Sequence, residues 1–396
     1  MPDVVVIGGG VIGLLTAREL RLAGAEVTLL ERGEPGRESS WAGGGIVSPL
    51  YPWRYADAVT KLASWSQAHY PRLCAALREA TGTDPELEPA GLLIEAPDEE
   101  GAATTWAAAH RVALEAVARD DIRELEPGLR EASTGALWLP DVAHVRNPRL
   151  VKALRADVEA RGVRVLGGTE VTGFDCRSGI NPAGDAASTP GFSPTPRRPD
   201  GRPAEESREP PPARIEGVRT AHGHIAADTF IVCAGSWSGD LLAPLGIRPD
   251  IHPVKGQMIL FRATPGTVRT IHLAADRYAI PRRDGRVLFG STVEETGFDK
   301  ATTAVAREEL WRIATSRFPA LREAEIERHW AGLRPSAPSG IPFIGRHPTC
   351  ENLFVNAGHF RNGIVLGPAS ARLAADLVLG RPPLIDPAPY SLEAAR

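Results

Sequence analysis

Two kinds of hydrophobic order alternate along the first thirty-one residues. A β-branched run, "VVVIG" over 4–8, leads into a glycine turn, then apolar positions at helical spacing over 11–22, then "AEVTLLE" over 25–31. Continuous apolar runs of this length read as strands covered on both faces, and a strand, helix, strand unit of this size fits a right-handed parallel crossover. Farther on, helical patterning is expected over 58–80 and 101–117, with a strand at 91–96 between them. "NPRLVKALRADVEARG" predicts a helix entered at Asn147, with Pro148 in its first turn and Gly162 at its end. "VRVLGG" and "IAADTFIVCAGSW" predict strands that return to the first sheet. From 252 to 289, alternating runs broken by glycine predict an antiparallel sheet. Helical patterning resumes over 302–318, "ENLFVNAG" reads as a strand, and 364–379 as a closing helix ended by Gly380 and two prolines.

One stretch breaks the pattern. Residues 178–214 are dense in Pro, Gly, Ser, Arg and Glu and nearly empty of large apolar side chains, a composition that cannot bury enough surface to offset the entropy of ordering. A disordered insertion between two strands is expected there, with a docking segment for a partner as the alternative. Among 396 residues, 43% are hydrophobic and the formal net charge is −4, so the chain can bury a sizeable core and carries no basic field for nucleic acid or an anionic membrane. Cys74, Cys176, Cys233 and Cys350 are scattered without C-x-x-C spacing, which argues against a zinc cage or a disulfide framework and for a reducing setting. The opening "MPDVVVIGGG" has no export signal pattern and no apolar run is long enough to span a bilayer, so a soluble, cytoplasmic protein is expected.

Candidate chemistry begins in the first turn. Gly8, Gly10 and Gly13 stand in G-x-G-x-x-G spacing, with Val11 and Ile12 opening the helix. Such glycines permit a tight turn, backbone approach to a pyrophosphate and close packing of helix on strand, while the helix N-terminus faces the phosphates. Glu31 ends the second strand eighteen residues after Gly13, where a carboxylate can accept from a ribose diol, with Arg32 next to it. The unit alone does not choose between NAD and FAD. Near the other end, "AGHFRNGIVLGP" places an Arg, a His and an Asn between glycines directly before an apolar helical run. A surface loop could carry those groups without any purpose.

The remaining blocks supply one. "VVVIGGGVIGLLTARELRLAGAEVTLLERG", "SSWAGGGI", "HPVKGQM", "YAIPRRDGRVLFGST", "HWAGLRPSAPSGIPFIGRHP" and "NAGHFRNGIVLGPASARLAADLVLG" occur in this order. Over nearly the whole chain apart from the Pro-rich insertion, the sequence resembles the FAD-dependent D-amino-acid oxidase family, and within it the glycine oxidases of thiamine biosynthesis. The resemblance implies an α/β fold: an FAD-binding Rossmann-like parallel sheet domain from 1–75, 145–245 and 326–396, and a mainly antiparallel substrate domain from 76–144 and 246–325. It implies that Glu38, Ser39, Ser40, Gly43, Gly44 and Gly45 wrap the ribityl chain and flavin, that the Val171 backbone meets the adenine side, and that Gly235 also borders the cofactor. His359, Phe360, Arg361, Asn362, Gly363, Ile364 and Val365 would approach the pyrimidine end of the flavin, with Gly358 and Gly363 permitting close approach.

Arg334 in "GLRP" matches the family arginine that clamps a substrate carboxylate, Tyr278 a tyrosine that reaches the substrate, and Arg361 a further charge nearby. Guanidinium suits the clamp because its planar donors bind both carboxylate oxygens and stay charged at working pH. The competing reading of Arg334 is a structural ion pair with an Asp or Glu. Related sarcosine oxidases attach flavin through a cysteine near the "GLRP" block; "LRPSAPSGIPFIG" has none, which implies non-covalent FAD. The implied reaction is hydride transfer from a small amino acid, with glycine, sarcosine and small D-amino acids as substrates, to flavin and then to O2, giving H2O2. A thiamine-pathway thiazole synthase and further copies of the chain are the candidate partners. Alternatives are another D-amino-acid or sarcosine oxidase or dehydrogenase, or a flavin-binding accessory protein without turnover.

Overall fold

A computed structural model describes residues 2–130, 133–177 and 213–395. Most of the stretch expected to be disordered, up to residue 212, lies outside the described residues. A six-stranded sheet runs in the order Phe343–Arg346, Leu353–Ala357, Thr229–Val232, Asp3–Ile7, Glu26–Leu30, Arg164–Leu166. Its pairings are parallel except for the outermost, between Phe343–Arg346 and Leu353–Ala357.

The continuous "VVVI" run is explained by what covers each face. Val4 and Val6 pack into a core with Leu14, Leu62, Leu150 and Leu373 from the helices Val11–Leu22, Asp57–Thr81, Asn147–Ala160 and Gly363–Val378. Val5 and Ile7 point the other way, into a core with Phe174, Ile215 and Val218 from a three-stranded sheet of Val171–Arg177, Arg214–Thr220 and Gly223–Ala226. The pleat thus places successive side chains in two different cores. Thr229–Val232 returns to the first sheet as expected, whereas Ile225 and Ala226, the start of the same expected run, belong to Gly223–Ala226 in the three-stranded sheet.

A second sheet has eight strands, in the order Glu325–Ser336, His252–Arg262, Val287–Gly290, Arg277–Pro281, Ile271–Ala274, Leu92–Glu95, Gly135–Leu139, Glu115–Ala118. Its pairings are antiparallel except between Ile271–Ala274 and Leu92–Glu95. Ile259, Phe261 and Ala279 face a core covered by the Ala304–Arg317 helix. Met258, Tyr278 and Ile280 face the opposite way, towards Leu50 and Tyr51. The helix expected over 101–117 stops at His110, because Arg111 turns into the left-handed region at φ 56°, and Glu115–Ala118 becomes an edge strand. Within the segment 38–45, Ser39–Ala42 forms one helical turn.

Two helices of the first layer are tied by a buried charge pair. Arg18 Nε donates to Asp157 Oδ2 at 2.8 Å, Arg161 Nε reaches the same oxygen at 2.9 Å, and Arg18 and Asp157 are 6% and 1% exposed. Removing one partner from such a pair strands the other charge in a dry core. Asp157→Ala is therefore expected to cost about 3–5 kcal/mol in urea unfolding, while Arg18→Met with Asp157→Leu recovers most of it. Equal loss in the single and double variants would show that the pair is not what joins the helices.

Candidate functional site

A cleft opens between the two sheets, and both ends of the sequence contribute to its walls. The glycine turn after Asp3–Ile7 forms one end. Gly8 has φ 112°, and a Cβ there would stand 2.4 Å from the Cys233 carbonyl oxygen. At Gly13, a Cβ would stand 1.8 Å from the Gly8 carbonyl oxygen. Gly13 is thus set back from the cleft and serves the close approach of helix to strand, while Gly8, Gly10, Val11 and Ile12 line the wall. Glu31 accepts from the Gly9 and Gly33 amides at 2.7 and 3.0 Å, so its carboxylate braces the turn as well as lining the cleft. Ser40 Oγ accepts from the Val11 amide at 2.8 Å and caps the first helix from a distant segment.

Along the next part of the wall, Arg32 donates to Glu38 at 3.1 Å and lies 3.6 Å above the Trp237 ring. Lys300 also reaches Glu38, at 3.0 Å. Ser39 donates to the Leu333 carbonyl, tying this turn to the strand that carries Arg334. Val171 and Gly235 both line the cleft. The glycines at 43–45 are demanded from behind as well as from the cleft. A Cβ at Gly43 would meet Asn147 Nδ2 at 2.8 Å, and one at Gly45 the Val145 carbonyl oxygen at 2.1 Å. Gly44 rests against Ile280 and the Tyr278 ring. Arg282, 8% exposed, holds this segment by donating to the Gly44 and Val145 carbonyls at 2.7 and 2.9 Å and to His144 Nδ1 at 3.0 Å.

The C-terminal segment closes the far side. His359, Phe360, Arg361, Asn362, Gly363 and Ile364 line the cleft. Val365 does not: it is 1% exposed and belongs to the helical core, because the helix periodicity turns it away. Gly358 has φ 84°, whereas Gly363 is an ordinary helical residue at φ −56°, and a Cβ on it would come no nearer than 3.7 Å to His359. His359 Nε2, Arg361 Nε and Asn362 Nδ2 are buried without a hydrogen-bond partner among the described residues. Three polar atoms in one short loop are thereby left unpaired, a cost that a bound polar group would remove.

Tyr278, Arg334 and Arg361 come together at the cleft. The Arg334 side chain crosses the neighbouring strand, donating from Nη1 to the Lys255 carbonyl at 3.2 Å and from Nη2 to the Thr292 carbonyl at 3.2 Å and to Ser291 Oγ. Tyr278 Oη donates to the same Ser291 Oγ at 3.3 Å. Among the described residues no carboxylate pairs with Arg334, so the competing reading as a structural ion pair finds no partner. Burial chiefly, with the like charge of Arg361 adding to it, holds the Arg334 guanidinium below its ordinary value. Two guanidinium groups facing one cleft make a site for an anion.

The model of the family described as FAD dependent oxidoreductase matches residues 3–193 and 200–377. The chain belongs to the FAD dependent oxidoreductase family. It is 47% identical over 389 residues to the glycine oxidase of Pseudomonas aeruginosa, covering 98% of both chains. It is 32% identical over 388 residues to the bifunctional protein ThiO/ThiG of Synechocystis, covering 95% of this chain and 51% of that protein. The crystal structure of glycine oxidase from Geobacillus kaustophilus superposes with a TM-score of 0.85 over 100% of both chains at 29% identity.

The residues of the cleft fit the cofactor of this FAD-dependent family. The glycine turn and the capped helix start suit a pyrophosphate, and the unpaired donors of the 359–362 loop suit the carbonyl and nitrogen acceptors of a flavin. Ser291, Met258, Trp237 and Gly256 also line the cleft, although motif spacing in the sequence does not single them out.

Burial also fixes protonation. The His359 pKa falls to about 3, His144 to about 2 and His347 to about 4, by desolvation, with the Arg282 charge adding to it at His144. All three are therefore neutral near neutral pH and must gain protons on unfolding below the ordinary value of 6.5. Their stabilising contribution is whole above that pH and is lost as pH falls, by about 1.4 kcal/mol per pH unit for each histidine. Urea midpoints are expected to fall between pH 6.5 and 4.5, with a shallower slope in His347→Gln. An unchanged slope in that variant would show that His347 is protonated in the folded protein.

Proposed function

We propose that the chain oxidises glycine, and with it sarcosine and small D-amino acids, at the carbon between amine and carboxylate. The observation that carries this reading is the half-buried Arg334 guanidinium, which has only neutral acceptors around it and Tyr278 and Arg361 beside it. FAD, held by the glycine turn and the 359–364 loop, would supply the two-electron acceptor for a hydride from that carbon, with O2 as the final oxidant reduced to H2O2.

Arg334 binds the substrate carboxylate, and its position at the wall shared with Tyr278 orients the amine-bearing carbon. Tyr278 is kept in register by Ser291, which accepts from both the tyrosine and Arg334. Arg361 adds positive potential on the side closed by the C-terminal helix. The chain does not need a side-chain base, because the unprotonated amine expels the hydride and the resulting imine either hydrolyses to glyoxylate and ammonia or passes on intact. Cys233 lies in the wall, but burial pushes its thiol up to about 12, which suits non-covalent attachment of the flavin.

The relationship to ThiO/ThiG, together with the glycine reading, supports supply of the imine to a thiazole synthase of thiamine biosynthesis, acting in the cytoplasm. No helix among the described residues is long and apolar enough to cross a membrane. The test is peroxide release from the purified yellow protein with glycine, sarcosine, D-alanine, D-proline and L-alanine. Turnover of glycine and sarcosine is expected. Truncating one member of a buried charged contact costs about 2–5 kcal/mol, so Arg334→Ala should raise the KM for glycine on the order of 10²-fold, and Arg334→Lys by less. Preference for a bulky D-amino acid, or a KM indifferent to Arg334, would remove the glycine reading.

A further inference from the structure

Arg334 reaches its position by crossing a strand. It sits on Glu325–Ser336, which pairs antiparallel with His252–Arg262 in the register Val254↔Arg334 and Gly256↔Gly332. From there its side chain lies across Gly256. A Cβ at Gly256 would fall 2.0 Å from Arg334 Nη2 and 2.4 Å from both Cζ and Nη1, so the whole guanidinium plane occupies the space that any other residue's side chain would fill. Glycine within a strand ordinarily weakens it, and its use here marks a close approach of another group.

The two carbonyls that the guanidinium meets are fixed by a polar cluster beneath the strand. The Lys255 and Glu294 backbones exchange hydrogen bonds at 2.9 and 3.0 Å. Lys255, 2% exposed, adds Nζ to Glu294 Oε2 at 3.1 Å and to the Ala301 carbonyl at 3.2 Å. Thr292 Oγ1 accepts from the Gln257 amide at 2.8 Å and donates to Glu294, while Gln257 Nε2 donates to Glu294 Oε1 at 2.9 Å. Gln257 Oε1 in turn accepts from the Thr303 amide at 2.9 Å. The cluster locks the 291–294 segment to the 255–257 strand and thereby sets the positions of the Lys255 and Thr292 carbonyls.

We infer that Gly256 is a specificity-determining position, the floor on which the Arg334 guanidinium is laid, and that Thr292, Gln257, Glu294 and Lys255 are positioning residues for that floor. The inference rests on the reading of Arg334 as the carboxylate clamp. Its content is that carboxylate affinity depends on the absence of a methyl group from the residue over which the guanidinium lies. Gly256 also borders the cleft, so an added methyl could instead obstruct the substrate directly. The two effects differ in how they combine with loss of the arginine.

The experiment is a double-variant cycle on the FAD-loaded protein, titrated with glycolate, a two-carbon carboxylate without an amine, and read from the change in the flavin absorption band. Gly256→Ala and Arg334→Ala are each expected to weaken glycolate at least tenfold, and the double variant to bind no more weakly than Arg334→Ala alone. Full additivity would mean that the methyl blocks the cleft and would overturn the inference while leaving the clamp. Wild-type binding by Gly256→Ala would overturn it as well. Wild-type binding by Arg334→Ala would instead remove the clamp reading. Should Gly256→Ala not fold, Thr292→Val leaves the carbonyl in place and removes the hydroxyl that links Gln257 to Glu294. The same non-additivity at a smaller size is expected from it, and unchanged binding would overturn the inference.

Discussion

A guanidinium taken out of water must find its acceptors inside the protein or in a ligand, and the rest of this structure is arranged around that requirement at Arg334. Its neighbours supply two backbone carbonyls and one hydroxyl, all neutral. Neutral acceptors hold the orientation of the group without cancelling its charge. The contrast within the same chain is Arg18, more deeply buried and neutralised by Asp157, where the charge joins two helices and has nothing left for a ligand.

The two sheets matter because they deliver parts of one site from distant segments. The parallel sheet brings the glycine turn, the 229–235 segment and the 353–363 segment to adjoining strand ends, where ligands of open α/β sheets bind. The antiparallel sheet presents Met258, Tyr278 and Arg334 on the face opposite its helix-covered core. Close approach is limited by backbone at Gly8 against Cys233 and at Gly45 against Val145, and by the Arg334 guanidinium at Gly256.

Much of this was legible in the sequence, and the exceptions have physical causes. The helix expected over 11–22 is observed as Val11–Leu22, since its apolar stripe and the preceding glycines define both its face and its start. Glu115–Ala118 was hidden within a helical reading because it is an edge strand with three of its four residues exposed, so burial imposes no alternation on it. Gly223–Ala226 is a sheet edge of the same kind, and its last two residues, Ile225 and Ala226, were read as the start of the 225–237 run. Of the cleft, the glycine turn, the 38–45 segment and the 359–364 loop were readable from motifs in local order. The stacking of Arg32 on Trp237 joins residues far apart in sequence and left no local signal. Gly256 did leave one, a lone glycine inside a strand, but its meaning required knowing which side chain crosses it.

The central claim is that recognition runs through the carboxylate, and the most direct measurement omits oxygen. The purified yellow protein is mixed anaerobically with glycine, and separately with methylamine, which carries the amine without the carboxylate, while the flavin band is followed. The account predicts that glycine bleaches the band and that methylamine at the same concentration leaves it yellow. Bleaching at equal rates by both amines would contradict it.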